Sequence, residues 1–229
     1  HQRWPPALRT TKPSCTSSIL VACLYFGLLP TTLAQSMTDL DGNTYKTIKI
    51  GDQIWLGQNL NVSHFSNGDP IPEVTTDEEW EKAGTAQKPA WCYYEGSDEN
   101  GKTYGKLYNW YAVNDSRGLA PKGWHIPTEQ EWMALSKSLG GDELAGKKLK
   151  EKGTVYWKSP NESATNESGF SALPGGLNYS FGTFVSMGST GYWWTSTANG
   201  DETAVLYSLS YENSALTNLF LNKGVGVSV

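Results

Sequence analysis

The sequence predicts an α+β fold of short antiparallel strands, a few short helices and long loops, and three observations predict it. Alternating side chains in 44–50 and 53–56 flank Gly51-Asp52, the pattern of a tight antiparallel hairpin. Thr128 and Glu131 form a capping box ahead of Trp132, Leu135 and Leu139, which recur at helical spacing. The 24 Gly and 11 Pro, against 18% charged residues, interrupt the chain too often for a helical bundle.

The elements follow in order. Asp41-Gly42-Asn43 turns the chain into the first strand of the hairpin. A short helix is expected after Thr76, whose hydroxyl can cap the amide of Glu79 while Glu79 reaches back. Acidic residues fill its first turn, Trp80 and Ala83 face inward, and Gly84 lies past its end. Pro127 precedes the helix capped by Thr128, and Gly140-Gly141 stops it. A further helix is expected from Asp142 to about Lys150, with Leu144, Ala145 and Leu149 as its apolar residues. Lys147, Lys148, Lys150 and Lys152 lie among Asp142, Glu143 and Glu151, which reads as a solvated helix face. After Gly153 the chain becomes short strands and Gly-rich loops, with strands at 192–196, 204–211 and 224–229.

Residues 1–34 read as a secretory signal peptide and 35–229 as a single domain. Arg3, Arg9 and Lys12 give a positive front, residues 19–29 are apolar, and Thr32-Leu33-Ala34 offers small residues for cleavage before Gln35. A second reading takes Leu20-Val21-Ala22-Cys23 as a lipoprotein box with a lipid anchor on Cys23. No run of eighteen or more apolar residues is present, so no membrane span is expected. The expected location is extracytoplasmic, secreted or at the cell surface. Removing the leader takes three of the 18 basic residues and none of the 23 acidic ones, which moves the formal net charge from −5 to −8. An acidic domain without a basic stripe is a poor partner for nucleic acid.

Several stretches together resemble one family. They are Asp41-Gly42-Asn43-Thr44-Tyr45, Ile54-Trp55-Leu56-Gly57-Gln58-Asn59-Leu60, Tyr104-Gly105-Lys106-Leu107-Tyr108-Asn109-Trp110-Tyr111-Ala112, Pro121-Lys122-Gly123-Trp124-His125-Ile126-Pro127-Thr128 and Phe170-Ser171-Ala172-Leu173-Pro174-Gly175-Gly176. In that order, over nearly all of 39–229, they are similar to the Fibrobacter succinogenes major paralogous domain family. The resemblance implies an exported bacterial domain, usually of unassigned biochemical function, with a C-type-lectin-like fold related to formylglycine-generating enzymes. Members commonly add an Arg-Cys-Val run after a segment like Val225-Gly226-Val227-Ser228-Val229. The resemblance thus implies that the sequence is truncated at its C-terminus and that Cys92 pairs with the cysteine of that run. A buried free thiol at Cys92 is the alternative.

Catalysis finds little support in the residues. Beyond the leader only His64 and His125 occur, and no nucleophile elbow, phosphate loop, zinc-protease motif or dinucleotide fingerprint is present. His125, next to Trp124 and just before a capped helix, suits a structural hydrogen bond. The formylglycine-generating relatives use a late cysteine pair, and no cysteine follows Cys92 here. No metal site is assigned. Asp39, Asp41 and Asn43 offer alternating oxygens that calcium could use, but a tight turn explains the same residues. Asn61, Asn114, Asn161, Asn166 and Asn178 stand in Asn-x-Ser triplets.

The expected function is a binding or adhesion module for a polysaccharide or a surface protein. The alternatives are an enzyme with an unrecognised, for example carbohydrate-active, site and a structural envelope domain. A groove beside Glu129, Asp142 and Glu143 would favour glycoside hydrolysis. Ligand contact is expected in the C-terminal half, with Trp157, Tyr179 and Trp193 as aromatic candidates and Asn178 and Asn199 as polar partners. The argument rests on Trp193-Trp194: neighbours on a strand face opposite sides, so one of them, Trp193, is expected at the surface.

Overall fold

Alternation along the strands decides the architecture. In the computed structural model, which describes residues 36–229, strands β1 (Ser36–Thr38), β2 (Thr44–Ile50) and β3 (Gln53–Leu56) form an antiparallel meander. The β2–β3 turn uses Gly51 at φ +60°, a conformation that disfavours a side chain. Tyr45, Ile50 and Trp55 point from this sheet into the core, while Lys46 and Lys49 stay outside. Residues 1–34, expected to be a signal peptide, and Cys23 among them lie outside the described residues.

A second antiparallel sheet carries the C-terminal half: β8 (Thr190–Asn199), β9 (Thr203–Ser210) and β10 (Leu216–Asn222), in the order β10-β9-β8. Trp193 stands opposite Tyr207 and Trp194 opposite Leu206, with a register shift between Trp194 and Ala198. The two tryptophans do face opposite sides, and both sides are covered. Trp194 packs with Tyr45, Leu60, Tyr108, Trp110 and Val227. Trp193 packs with Trp132, Phe170, Tyr207 and Leu209 under α4 and α5. The expected surface position of Trp193 is therefore corrected: it is 3% exposed, because the sheet lies between two apolar layers.

The helices form where their caps placed them. Helix α1 (Asp77–Thr85) starts at Thr76, whose hydroxyl accepts from the Glu79 amide at 3.3 Å, and it buries Trp80. Gly84 lies inside its last turn rather than past it. Two short helices were not foreseen, α2 (Asp98–Tyr104) and α3 (Trp110–Val113), which flank a two-stranded pair, β4 (Trp91–Cys92) with β5 (Leu107–Tyr108). Helix α4 (Glu129–Ser138) has the full capping box: Glu131 N–H donates to Thr128 Oγ1, and Thr128 N–H donates to Glu131 Oε2. Helix α5 (Asp142–Leu149) buries Ala145 and Leu149 and leaves Leu144 exposed.

The last six residues do not join one ladder. They make single bridges from Gly226 to Asn178, Val227 to Tyr108 and Ser228 to Trp193, and Leu60 N–H donates to the Val229 carbonyl at 2.7 Å. This segment ties β5, β8 and the short β6–β7 hairpin (Leu177–Asn178, Phe184–Val185) together. A Cβ at Gly226 would stand 2.7 Å from the Trp80 ring, so only glycine fits there.

Lys150 departs from the solvated-face expectation. The helix ends at Leu149, the chain turns inward, and Lys150 is wholly buried. Its Nζ donates to the carbonyls of Glu162, Ser210 and Asn213 at 2.8–3.0 Å. Lys223 and Lys106 are variations on the device: both are buried, Lys223 donates to the Gly200 and Asp201 carbonyls, Lys106 donates to the backbone and side-chain oxygens of Asn61 and to Tyr93 OH, and each ammonium lies over a tryptophan ring, Trp110 at 4.7 Å and Trp91 at 4.3 Å. In a fold with long loops, an ammonium that satisfies two or three carbonyls at once replaces ladder hydrogen bonds the loops lack.

Candidate functional site

A cleft of about 1030 Å³ opens between the β2–β3 hairpin, residues 57–61, the 120–127 loop, the start of α4 and residues 170–173. That is at the upper end of small-ligand sites. Its floor is an aromatic cluster. The Trp55 and Trp132 rings meet edge to face at 5.2 Å, Phe170 lies 6.0 Å from both, and Trp132 stacks on Tyr207 at 5.0 Å. Trp193 completes it, 6.3 Å from Trp132. All five rings are at most 9% exposed, so the floor is rigid.

Hydrogen bonds fix that floor. Trp193 Nε1 donates to Asn59 Oδ1 at 2.8 Å, and Asn59 Nδ2 donates to the Tyr104 carbonyl and to Ser228 Oγ. Trp55 Nε1 donates to Gln53 Oε1, whose Nε2 donates to the Glu131 carbonyl. Trp132 Nε1 is the exception. It is buried, and it has no hydrogen-bond partner among the described residues. A buried donor left unpaired costs about 1–3 kcal/mol.

The rim is more open. Trp124 is half-buried, Tyr156 is 39% exposed and Ile54 54% exposed. His125 Nε2 donates to Glu131 Oε1 at 2.7 Å. Burial would raise the Glu131 carboxyl, but hydrogen bonds from Thr128 and His125 outweigh it and hold the group below its usual value. The rim therefore carries an anchored carboxylate beside an exposed imidazole.

The residues expected to bind ligand do not meet in one place. Trp193 lines the cleft from beneath. Trp157 is 1% exposed and spends its Nε1 on the Ala172 carbonyl. Asn178 is 2% exposed and belongs to a separate small pocket. Tyr179 is 37% exposed and stacks on Phe181 with ring centroids 5.2 Å apart. Asn199 is exposed at the β8–β9 turn and donates to Thr203 Oγ1. The rim residues Trp124 and Tyr156 were not singled out. Trp124 had a legible signal, since Pro121, Gly123 and Pro127 hold it in an irregular loop where no strand alternation can bury it.

The three carboxylates named for glycoside hydrolysis lie outside the cleft, whose own carboxylates are Glu131 and Glu151. Glu129 accepts from Asn218 Nδ2, Asp142 pairs with Ser136, and neither they nor Glu143 line the cleft. The Asp39 carboxylate accepts from the Asp41 and Asn43 amides, from Asn43 Nδ2 and from Tyr45 OH. Asp41 accepts from Ser63 and His64 amides and from the His64 ring. The Asp39 oxygens are spent on the turn, and those of Asp41 tie it to Ser63 and His64. Among the described residues no group of three or more His, Cys, Asp or Glu is placed to hold a metal. Asn161 and Asn178 are buried, so these two Asn-x-Ser sites are closed to glycan in the fold.

An α+β domain with short antiparallel strands and a large aromatic-floored cleft defines the class. The chain belongs to the Fibrobacter succinogenes major domain family, whose model matches residues 48–229. No curated protein and no solved structure matches it. Among the described residues no helix is long and apolar enough to cross a membrane.

Proposed function

We propose that this domain is an extracytoplasmic binding module that takes a segment of polysaccharide in the large cleft, on the lectin-like fold the sequence resemblance implies. One observation carries the reading: a preformed cleft with a rigid aromatic floor and open aromatic rings at its rim. Sugar rings have apolar faces that stack on aromatics and hydroxyl edges that need donors and acceptors. Trp124 and Tyr156 offer the faces. His125 and Glu131 offer the edges. The floor tryptophans are too deeply covered to stack on a ligand, so their part is to hold the shape.

A glycan-array screen of residues 35–229 tests it. The expected result is selective binding of a glycan class, reduced at least tenfold in Trp124→Ala and in Tyr156→Ala, with a stability loss below about 1 kcal/mol for the exposed Tyr156 and a larger one for Trp124, which packs against the core. An array without a binder, or binding that both variants retain, would refute the proposal.

A further inference from the structure

A second pocket, of about 180 Å³, lies between the start of α1, the turn before α2 and the β6–β7 hairpin. Trp80 and Phe184 supply apolar walls, and Asp77, Glu95, Asn178 and Cys92 supply its polar lining. The volume is roughly six times the ~30 Å³ share of one liquid water, enough for a short chain of heavy atoms.

Asn178 points to what belongs there. Its Nδ2 donates to Cys92 Sγ at 3.6 Å, and its Oδ1 has no hydrogen-bond partner among the described residues. A buried acceptor without a donor is costly, and a ligand N–H would relieve it. The sign of charge agrees. Both charged residues lining the pocket are acidic, and Glu73 is near enough to disfavour ionisation of Cys92 and Tyr93. Burial pushes the Cys92 thiol up to about 12, so it brings no compensating or competing charge at neutral pH.

Two further features fit. Glu95 holds a left-handed backbone, φ 53° and ψ 27°, which fixes the turn that forms this side of the pocket. The N-terminus of α1 would by itself attract an anion, but Asp77, Glu78 and Glu79 fill its first turn and reverse the local sign.

We propose that this pocket binds an organic cation of the primary-ammonium class, such as the end of a lysyl side chain or a small alkylamine. An ammonium N–H donates to Asn178 Oδ1, Asp77 and Glu95 balance the charge, and the carbons lie against Trp80 and Phe184.

The test is an NMR titration of the 35–229 domain with n-butylammonium chloride, with n-butanol and sodium butyrate as comparators at equal ionic strength. The expected result is that butylammonium shifts the Trp80 indole and Asn178 side-chain amide resonances and binds at least tenfold more tightly than butanol. Asp77→Asn/Glu95→Gln, which alters surface carboxylates and leaves the core intact, should weaken it at least tenfold. Butanol or butyrate binding as well as butylammonium would overturn the proposal, as would undiminished binding in the double variant or no shift at Trp80.

Discussion

Trp193→Ala is expected to lower the free energy of unfolding by roughly 3–5 kcal/mol, the range for deleting a buried aromatic. The ring is 3% exposed, lies against Trp132 and Phe170, and anchors Asn59 through its indole. Removing it leaves a cavity between β8 and α4 and frees Asn59 Oδ1, two separate losses. The neighbouring rings cannot close the gap, since Trp132 is held between Trp55 and Tyr207. Urea denaturation of both proteins measures it. A loss below about 1 kcal/mol would mean that this face of the sheet is open to solvent after all.

Lys150→Met should cost about as much, through polarity instead of volume. Methionine matches the stem, but the carbonyls of Glu162, Ser210 and Asn213 lose the donor they share. Each stranded carbonyl costs about 1–3 kcal/mol, so a loss of roughly 3 kcal/mol or more is expected. The variant also has a pH signature. Burial draws the Lys150 ammonium down to about 8, with the Glu162 carboxylate opposing. An unfolded lysine keeps its proton to about 10.4, so between pH 8 and 10 the unfolded chain binds more protons and the wild type gains stability as pH rises. Below pH 8 both states are protonated and this dependence vanishes. Above pH 10 the buried Tyr45 and Tyr108 hydroxyls, raised by burial, act in the opposite direction. Relative to Lys150→Met, the wild type should therefore gain stability from pH 8 to 10. A constant difference would contradict the burial of this ammonium.

What was legible in the sequence was local. Thr128 and Glu131 lie three residues apart and cap one helix, and the β2–β3 hairpin closes around two residues, so neither needs the rest of the chain. The opposite facing of Trp193 and Trp194 was equally legible, because it follows from strand geometry. What covers each face was not. Trp193 is buried by Trp132 and Phe170, and Trp194 by Tyr108 and Val227, residues brought there from distant segments. Lys150 shows the same limit: beside Lys147 and Lys148 it reads as surface, and only the inward turn after Leu149 makes it core. The cleft draws on residues from 36 to 229, and no periodicity spans such distances.

The proposal of a sugar-binding cleft is tested most directly by following the indole N–H resonances of the 35–229 domain while adding the glycan selected on the array. Trp124 and Trp132 should shift together, because one edges the cleft and the other lines its floor, while Trp80, Trp91 and Trp110 stay in place with indoles bonded to Gly224, Ile71 and Thr195 carbonyls. Shifts confined to Trp80, Trp91 or Trp110, with Trp124 and Trp132 unmoved, would contradict it.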